Sequence, residues 1–437
     1  MTYIFFALVV IAFAVAGWRE LVWVAPAADT KSPMAELSDA MIAAAGNSVT
    51  LAIGLIGVMA LFLGLMKIAE EGGLLVVIAK LMRPLLVRLF PDVPAEHPAM
   101  GAMIMNVSAN VVGLGNAATP FGIRAMEALD RLNPLKGTAT NAMVLFLAIN
   151  TASVTLLPTS VIALRAAAGS SDPAGILPTT LFATVVATAV AIIAAKLGDR
   201  WWPARAEGGG PTLSARDASS LTAFDEASPS GAPLAAVEDG YSLRVSYLTL
   251  IAILLLIPLT VVYGRVIGPW IVPALMVSLL AFGLARRVNI YGAFVEGAKD
   301  GFTIAVRIIP YLVAILVAIG MLRASGGLDA IIEPLAAVSA PLGLPAEALT
   351  MGLLRMLSGS GAFGLLASIL KDPAIGPDSY TGYLVSTIMG STETTFYVLA
   401  VYFGSVGVKR IRHALVAGLL SDVAGIAASV VAVKVMI

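Results

Sequence analysis

Long apolar runs separated by short polar stretches dominate this chain, and the runs have helical rather than strand lengths. Residues 3–24, 48–68, 176–197, 245–264, 269–285, 302–322 and 413–434 each read as one apolar segment. About 18 apolar residues suffice to mark a membrane-crossing helix. Two further runs, 141–166 and 380–404, are as long but broken by polar residues at their centres. The first carries Asn150-Thr151-Ala152-Ser153 and then Pro158; the second carries Met389-Gly390-Ser391-Thr392-Glu393-Thr394-Thr395-Phe396. None of these runs alternates apolar with polar residues, so they are not strands of a β-barrel.

Shorter patterns lie between the spans. Residues 25–45 read as a polar loop with Asp29, Lys31, Glu36 and Asp39. After Gly72-Gly73, the segment 74–90 sets Lys80, Arg83 and Arg88 against Leu, Val and Ile, the pattern of a helix lying in the membrane interface. In 97–132, two arms too short to span flank Gly113-Leu114-Gly115-Asn116-Ala117-Ala118-Thr119-Pro120-Phe121-Gly122. Such a pattern predicts a re-entrant hairpin, permitted at membrane depth only inside protein or along a cavity. A second hairpin is predicted over 345–371, broken at Ser358-Gly359-Ser360-Gly361, after an interfacial segment at 328–342. Residues 199–240, rich in Gly, Ala, Ser, Pro and charges, have the composition of a disordered linker.

The order span, Gly-Gly, interfacial helix, hairpin, broken span, final span therefore occurs twice. Pro94-Ala95-Glu96 with Met100-Gly101 matches Pro345-Ala346-Glu347 with Met351-Gly352 at a constant offset of 251, and Ile149–Ser153 lines up with Met389–Glu393. Each repeat crosses three times if its hairpin returns to its own side. With two spans between the repeats, the second starts on the opposite face, so the repeat is inverted and its site is expected near the midplane. Charge bias agrees. With the N-terminus inside and about nine spans, nineteen Lys and Arg fall in inside segments and seven in outside ones.

Composition narrows the class. The chain has 437 residues, 59% hydrophobic and 12% charged, which is a polytopic membrane composition. Lys plus Arg equal Asp plus Glu at 27 each, so there is no basic domain for nucleic acid. There is no cysteine, which removes thiolate metal sites and thiol catalysis, and His97 and His413 are the only imidazoles. No phosphate-loop pattern and no nucleophile–base constellation stands out, so neither an ATPase nor another enzyme is expected. At the N-terminus, an apolar 4–17 and Ala25-Pro26-Ala27 resemble a leader. The missing basic flank and Arg19-Glu20 favour an uncleaved first helix.

The polar residues inside apolar runs are the candidate chemistry. A charge at the centre of a membrane helix costs about 2.5–3.5 kcal/mol on insertion scales, so Glu393 must face protein, water or a solute. Candidates in the first half are Asn106, Asn110, Asn116 and Thr119 from the hairpin, with Asn150, Thr151 and Ser153 from the broken span. In the second half they are Ser358 and Ser360 from the hairpin, then Ser391, Thr392, Glu393 and Thr394. Arg355 and Asp422 are the other deep ionisable residues. An Arg355–Glu393 pair is the structural alternative to a carboxylate that binds solute or a cation, and hydroxyls that bond back to their own helix are the alternative for Ser and Thr.

Two stretches carry a family resemblance. Gly115-Asn116-Ala117-Ala118-Thr119-Pro120-Phe121-Gly122 resembles the signature of spore maturation protein A, and Met389 to Gly404 resembles that of spore maturation protein B. The chain looks like a fusion of the two. Both carry the Gate, or nucleoside recognition, domain, also found in concentrative nucleoside transporters and ferrous-iron permeases. The resemblance implies a hairpin-containing transporter core. The resulting expectation is an all-α polytopic membrane protein, an inverted repeat of Gate-type units with re-entrant hairpins. Its parts are an N-terminal helix and external loop (1–45), a first Gate repeat (46–198), a cytoplasmic linker (199–244), connecting helices (245–300) and a second Gate repeat (301–437). The function expected is secondary transport of a small polar solute, nucleoside-like or another metabolite, with a coupling proton or sodium ion and no other cofactor. The alternative is a non-transporting scaffold for envelope or spore assembly. The expected setting is the bacterial inner membrane, N-terminus cytoplasmic, with lipid, a small solute and further copies of the chain as partners and no nucleic acid.

Overall fold

The computed structural model describes residues 2–24, 31–113, 115–202, 240–327, 330, 334, 337 and 339–436. The described residues are almost entirely helical, as a chain must be when lipid cannot satisfy open backbone groups. The helices are α1 (Thr2–Leu21), α2 (Pro33–Glu71), α3 (Leu74–Leu89), α4 (Pro98–Val112), α5 (Gly115–Arg131), α6 (Asn141–Thr151), α7 (Thr159–Ala167) and α8 (Leu177–Trp201). They continue with α9 (Leu243–Ala285), α10 (Ile290–Ala324), α11 (Ala346–Leu357), α12 (Gly359–Lys371), α13 (Tyr380–Ser391), α14 (Thr395–Ser405) and α15 (Ala414–Met436). Four stretches among the described residues are long and apolar enough to cross a membrane: Pro33–Glu71, Pro173–Trp201, Tyr380–Ser405 and Ala414–Met436.

Both predicted hairpins form. α4 and α5 pack on each other around Gly113, as do α11 and α12 around Ser358. Gly113 has φ +89°, a left-handed conformation that glycine adopts without penalty, and a side chain there would strike the carbonyl oxygen of Leu157. The N–H of Leu156 donates to the carbonyl of Val111 at 2.9 Å, so the first hairpin tip is fastened to the break in the neighbouring span.

The halves run in opposite directions. Beside the N-terminus of α6, the N–H of Ala139 donates to the carbonyl of Arg410, just beyond α14. At the far end, Arg165 near the C-terminus of α7 donates to the carbonyl of Pro377, just before α13. The broken pairs α6–α7 and α13–α14 are thus antiparallel. α2 and α10 are antiparallel too: Gly320 lies by Ala40 and Ala44, and Gly301 by Ala60. Glycine at 297 and 301 lets these backbones approach closely, as in many membrane helix pairs.

The two largest apolar cores lie on opposite sides of the breaks, and two smaller ones join α1, α2, α9 and α10. Of the large cores, one gathers α3–α6 with Val398, Leu399, Tyr402 and Phe403 of α14; the other gathers α7, α11, α12 and α13 with the C-terminal part of α15. Each hairpin serves one core, and both breaks lie at the boundary between them.

Two segments differ from the pattern. Residues 25–45 are not all loop: Ser32 caps α2, Pro33 sits in its first turn and Glu36 follows, a complete helix-start signal. The expected spans 245–264 and 269–285 form one helix of 43 residues, because the Gly-Pro at 268–269 does not interrupt it. At 1.5 Å per residue it measures about 65 Å, twice what one crossing requires. Inversion therefore rests on the antiparallel pairing above rather than on counting crossings. Most of the expected interfacial segment 328–342 and of the linker 199–240 lies outside the described residues.

Candidate functional site

α6 ends at Thr151 and α13 at Ser391, the two positions aligned in the sequence repeat. In the first break, Pro158 lacks an N–H and opens α7 as its N-cap. In the second, Thr392 and Thr394 are extended and Thr394 is the N-cap of α14. The breaks touch: the N–H of Glu393 donates to the carbonyl of Thr151 at 2.8 Å. Other freed backbone groups also find partners, as burial demands. Thr188 donates its hydroxyl to the carbonyl of Ala152, and Arg355 Nη2 donates to the carbonyl of Thr392.

The asparagines of the first half form one network. Asn110 Nδ2 donates to Asn150 Oδ1 at 3.0 Å, and Asn150 Nδ2 donates to the carbonyl of Phe146 at 2.9 Å. Asn106 Nδ2 donates to the carbonyl of Ala118 at 2.7 Å and to Tyr402 Oη at 3.3 Å, while that hydroxyl faces Asn150 Oδ1 at 3.4 Å. Asn106 Oδ1 is buried without a hydrogen-bond partner among the described residues. The Tyr402 ring stacks on Phe146 and lies directly over Gly122, whose missing side chain makes the room. The network therefore joins the first hairpin, α6 and α14.

In the second half, Arg355 spans the break. Besides Thr392, its Nη1 donates to Thr394 Oγ1 at 3.4 Å, and its Nη2 lies 3.3 Å from Glu393 Oε2. The Arg355 side chain is 7% exposed, whereas that of Glu393 is 54% exposed. The pair weighed as a structural alternative thus exists, but it leaves the carboxylate open on one side. Asp422 is the buried acid, 1% exposed, and its Oδ2 accepts from Thr395 Oγ1 at 2.6 Å. Gly418 and Gly425 flank it on one face of α15, and each lies against a threonine methyl, of Thr395 and Thr392 respectively.

The remaining candidates divide. Thr151, Ser153 and Ser391 donate to carbonyls of their own helices, and Thr151 also lies 3.5 Å from Ser421 Oγ. Ser358 accepts from the N–H of Gly361 and is the N-cap of α12, a local role. Ser360 is exposed and Thr119 half-buried. The side chain of Asn116 lies outside the described residues. Several participants escape a reading of the sequence: Tyr402, Thr395, Ser421 and a column of threonines on α8. Thr180, Thr184 and Thr188 repeat every four residues along the face toward the breaks, a signal hidden because threonine does not interrupt an apolar run.

Polar clusters tie the broken helices at both ends. Arg165, 0% exposed, donates to the carbonyls of Pro377 and Asp172 and pairs with Asp378 at 3.1 Å, its guanidinium 4.1 Å from the Tyr383 ring centre. Burial pushes the Asp378 carboxyl up. Hydrogen bonds from Ser170 and Ser171 and the Arg165 charge outweigh this, so it ionises below the ordinary carboxylate range. At the other end, Arg412 donates to the carbonyls of Trp202 and Ala139 and to Asn141 Oδ1, joining α8 and α6 to the start of α15.

Residues 52–168 and 305–409 match the family model described as Gate, nucleoside recognition. Spore maturation protein A of Bacillus subtilis is 45% identical over 158 residues, 36% of this chain and 81% of that protein. Spore maturation protein B of the same organism is 44% identical over 165 residues, 38% of this chain and 92% of that protein. Each covers about a third of the chain, as a fusion of the two would. The inner membrane protein YjiG of Escherichia coli is 36% identical over 104 residues, 24% of this chain and 65% of its own length. The solved YdaH transporter of Alcanivorax borkumensis aligns over 99% of this chain and 97% of its own. The two share 16% identity at a TM-score of 0.40.

Proposed function

This chain belongs to the Gate family, and from that premise we propose that it is a secondary-type transporter of a small polar solute, nucleoside-like or another metabolite, coupled to a proton or sodium ion. One observation carries the reading: two oppositely directed helices break at equivalent positions and meet there, Glu393 N–H on Thr151 carbonyl, beside a half-exposed carboxylate. Breaking two helices at membrane depth removes backbone hydrogen bonds that an unbroken helix supplies at no cost, and broken helices at a repeat interface are where transporters hold solutes. Glu393 and the hydroxyls of Thr392 and Thr394 would bind the solute, with Asn110 and Asn150 orienting it from the first half. Alternating access would rock the halves about the breaks while the Arg165 and Arg412 clusters open in turn. The name of the family model supports a nucleoside-like solute as the first class to try.

The test is a thermal-shift screen of the purified chain against nucleosides, amino acids and monovalent cations, repeated on Glu393→Ala. A bound solute raises apparent stability in proportion to RT ln(1 + [L]/Kd). The expected result is stabilisation by at least one solute class, lost in Glu393→Ala. Stabilisation that persists undiminished in the variant removes Glu393 from the site.

A second reading, a membrane scaffold for envelope or spore assembly, is favoured by the Asn106–Tyr402–Asn150–Asn110 network, which ties three elements together without needing a ligand. The names of the two Bacillus relatives are compatible with it. A folded chain that responds to no solute in the screen would favour it.

A further inference from the structure

The carboxyl that does most to define the midplane is not Glu393 but Asp422. It sits midway along α15, 1% exposed, where both breaks close on the Gly418–Gly425 face. Oδ2 accepts one hydrogen bond, from Thr395, and Oδ1 has none among the described residues. Three of the surrounding hydroxyls are not placed to supply one, because their protons are committed to backbone carbonyls: Ser421 to Gly418, Thr151 to Ala148 and Ser391 to Ile388. A hydroxyl has a single proton to donate. The fourth, Thr392, lies beside the carboxyl but leaves Oδ1 without a hydrogen bond.

Among the described residues no basic group forms an ion pair with Asp422. Arg355, from α11, is the cation that faces it, and this guanidinium is engaged by Thr392, Thr394 and Glu393; among the described residues it makes no ion pair with Asp422. α6 carries no titratable side chain, and α8 carries none from Leu177 to Ala195. On α13, Tyr380 and Tyr383 lie toward the Arg165 end; on α14, Tyr402 belongs to the asparagine network and Tyr397 is exposed. Glu347 stands in the first turn of α11, and the side chains of Tyr263 and Arg265 on α9 lie outside the described residues. A buried anion with one oxygen left without a hydrogen bond, facing a guanidinium already engaged elsewhere, is more costly than the neutral acid, which leaves only a weak polar group unpaired.

We propose that Asp422 is a proton-binding site at the junction of the two breaks, protonated when they are in contact as here, and that it carries the coupling proton. The coupling role rests on the transport function; the proton site itself does not. The binding step itself neutralises the carboxylate and changes no other covalent bond. Asp422 joins both halves, since Thr395 follows the second break and Ser421 beside it faces Thr151 of the first. Ionising it would set an uncompensated charge between them, which favours their separation. That is how protonation and the position of the halves would be linked.

The experiment is infrared difference spectroscopy of the full chain in lipid, titrated with pH in potassium phosphate. The wild type is expected to show a carboxylic-acid C=O stretch at neutral pH that shifts in heavy water, is retained in Glu393→Gln and is absent from Asp422→Asn. In Thr395→Val the same band is expected to move to higher frequency, because the carbonyl oxygen loses its hydrogen bond. This variant decides the matter if Asp422→Asn does not fold. A band absent from the wild type, one that survives in Asp422→Asn, or one unmoved in Thr395→Val overturns the proposal. So does a band removed by sodium chloride and not by choline chloride, which would make the site one for sodium. Solute uptake is read separately, so a proton site without transport and transport without a proton site remain distinguishable.

Discussion

Replacing Arg355 by leucine separates what holds the second break together from what is left for a ligand. Three contacts are lost. The bond from Nη2 to the Thr392 carbonyl is charge-assisted, and such bonds contribute about 1.5–3 kcal/mol. The contact to Thr394 at 3.4 Å is at the limit of a hydrogen bond and adds little. The ion pair with Glu393 has one partner 54% exposed, and exposed pairs are worth about 0–1 kcal/mol. Arg355→Leu should therefore cost about 2–4 kcal/mol, nearly all of it from the stranded carbonyl. Glu393→Gln should cost under about 1 kcal/mol. The assay is equilibrium unfolding by SDS in mixed micelles on both variants and on the double variant. The double should equal the sum of the singles to within about 1 kcal/mol. If Glu393→Gln proves as damaging as Arg355→Leu, or if it rescues that variant, the carboxylate is a structural partner of the arginine. The reasoning that frees it for a solute then fails.

Three other outcomes follow from the geometry. Gly122→Ala drives a methyl into the Tyr402 ring and should lower stability by about 1–3 kcal/mol, with Tyr402→Ala relieving most of the loss in the double variant. Asn150→Leu leaves Asn110 Nδ2 and Tyr402 without their shared acceptor and should cost about 2–4 kcal/mol, against about 1 kcal/mol for Tyr402→Phe, measured by the same unfolding. Asp378 ionises in the folded chain below its ordinary range, so its contribution is present above the unfolded value of about 4 and is lost as pH falls through the lower folded value. The difference in Tm between wild type and Asp378→Asn should be constant near neutrality and shrink in acid below about pH 4.

The breaks and hairpins were legible because membrane depth makes irregular backbone rare. A Pro158 or a Thr-Glu-Thr inside an apolar run has few readings other than an interrupted helix. The repeat was legible as an order of parts, and its register proved sound at Thr151 and Ser391, where the two helices end. What resisted reading was of two kinds. Some signals were local and present: Ser32-Pro33 at the start of α2, and Ser358 as the cap of α12. Others exist only in the fold. Threonines 180, 184 and 188 and Tyr402 are ordinary residues of apolar helices until a break in another helix lies against them. Asp422 stood out in sequence as a deep acid, but its one bond and its unpaired oxygen depend on α14 and α13 arriving over Gly418 and Gly425. The unbroken α9 shows the converse, a Gly-Pro pair that sequence chemistry marks as a boundary and the helix passes through.

The central claim is that the junction of the two breaks holds a solute in transit. Its most direct test is uptake of tritiated nucleosides and amino acids into proteoliposomes bearing the full chain, beside Glu393→Ala and empty vesicles. The account predicts accumulation of at least one label by the wild type, abolished in Glu393→Ala although that variant remains folded. Equal accumulation by both proteins, or none by a folded wild type, would contradict it.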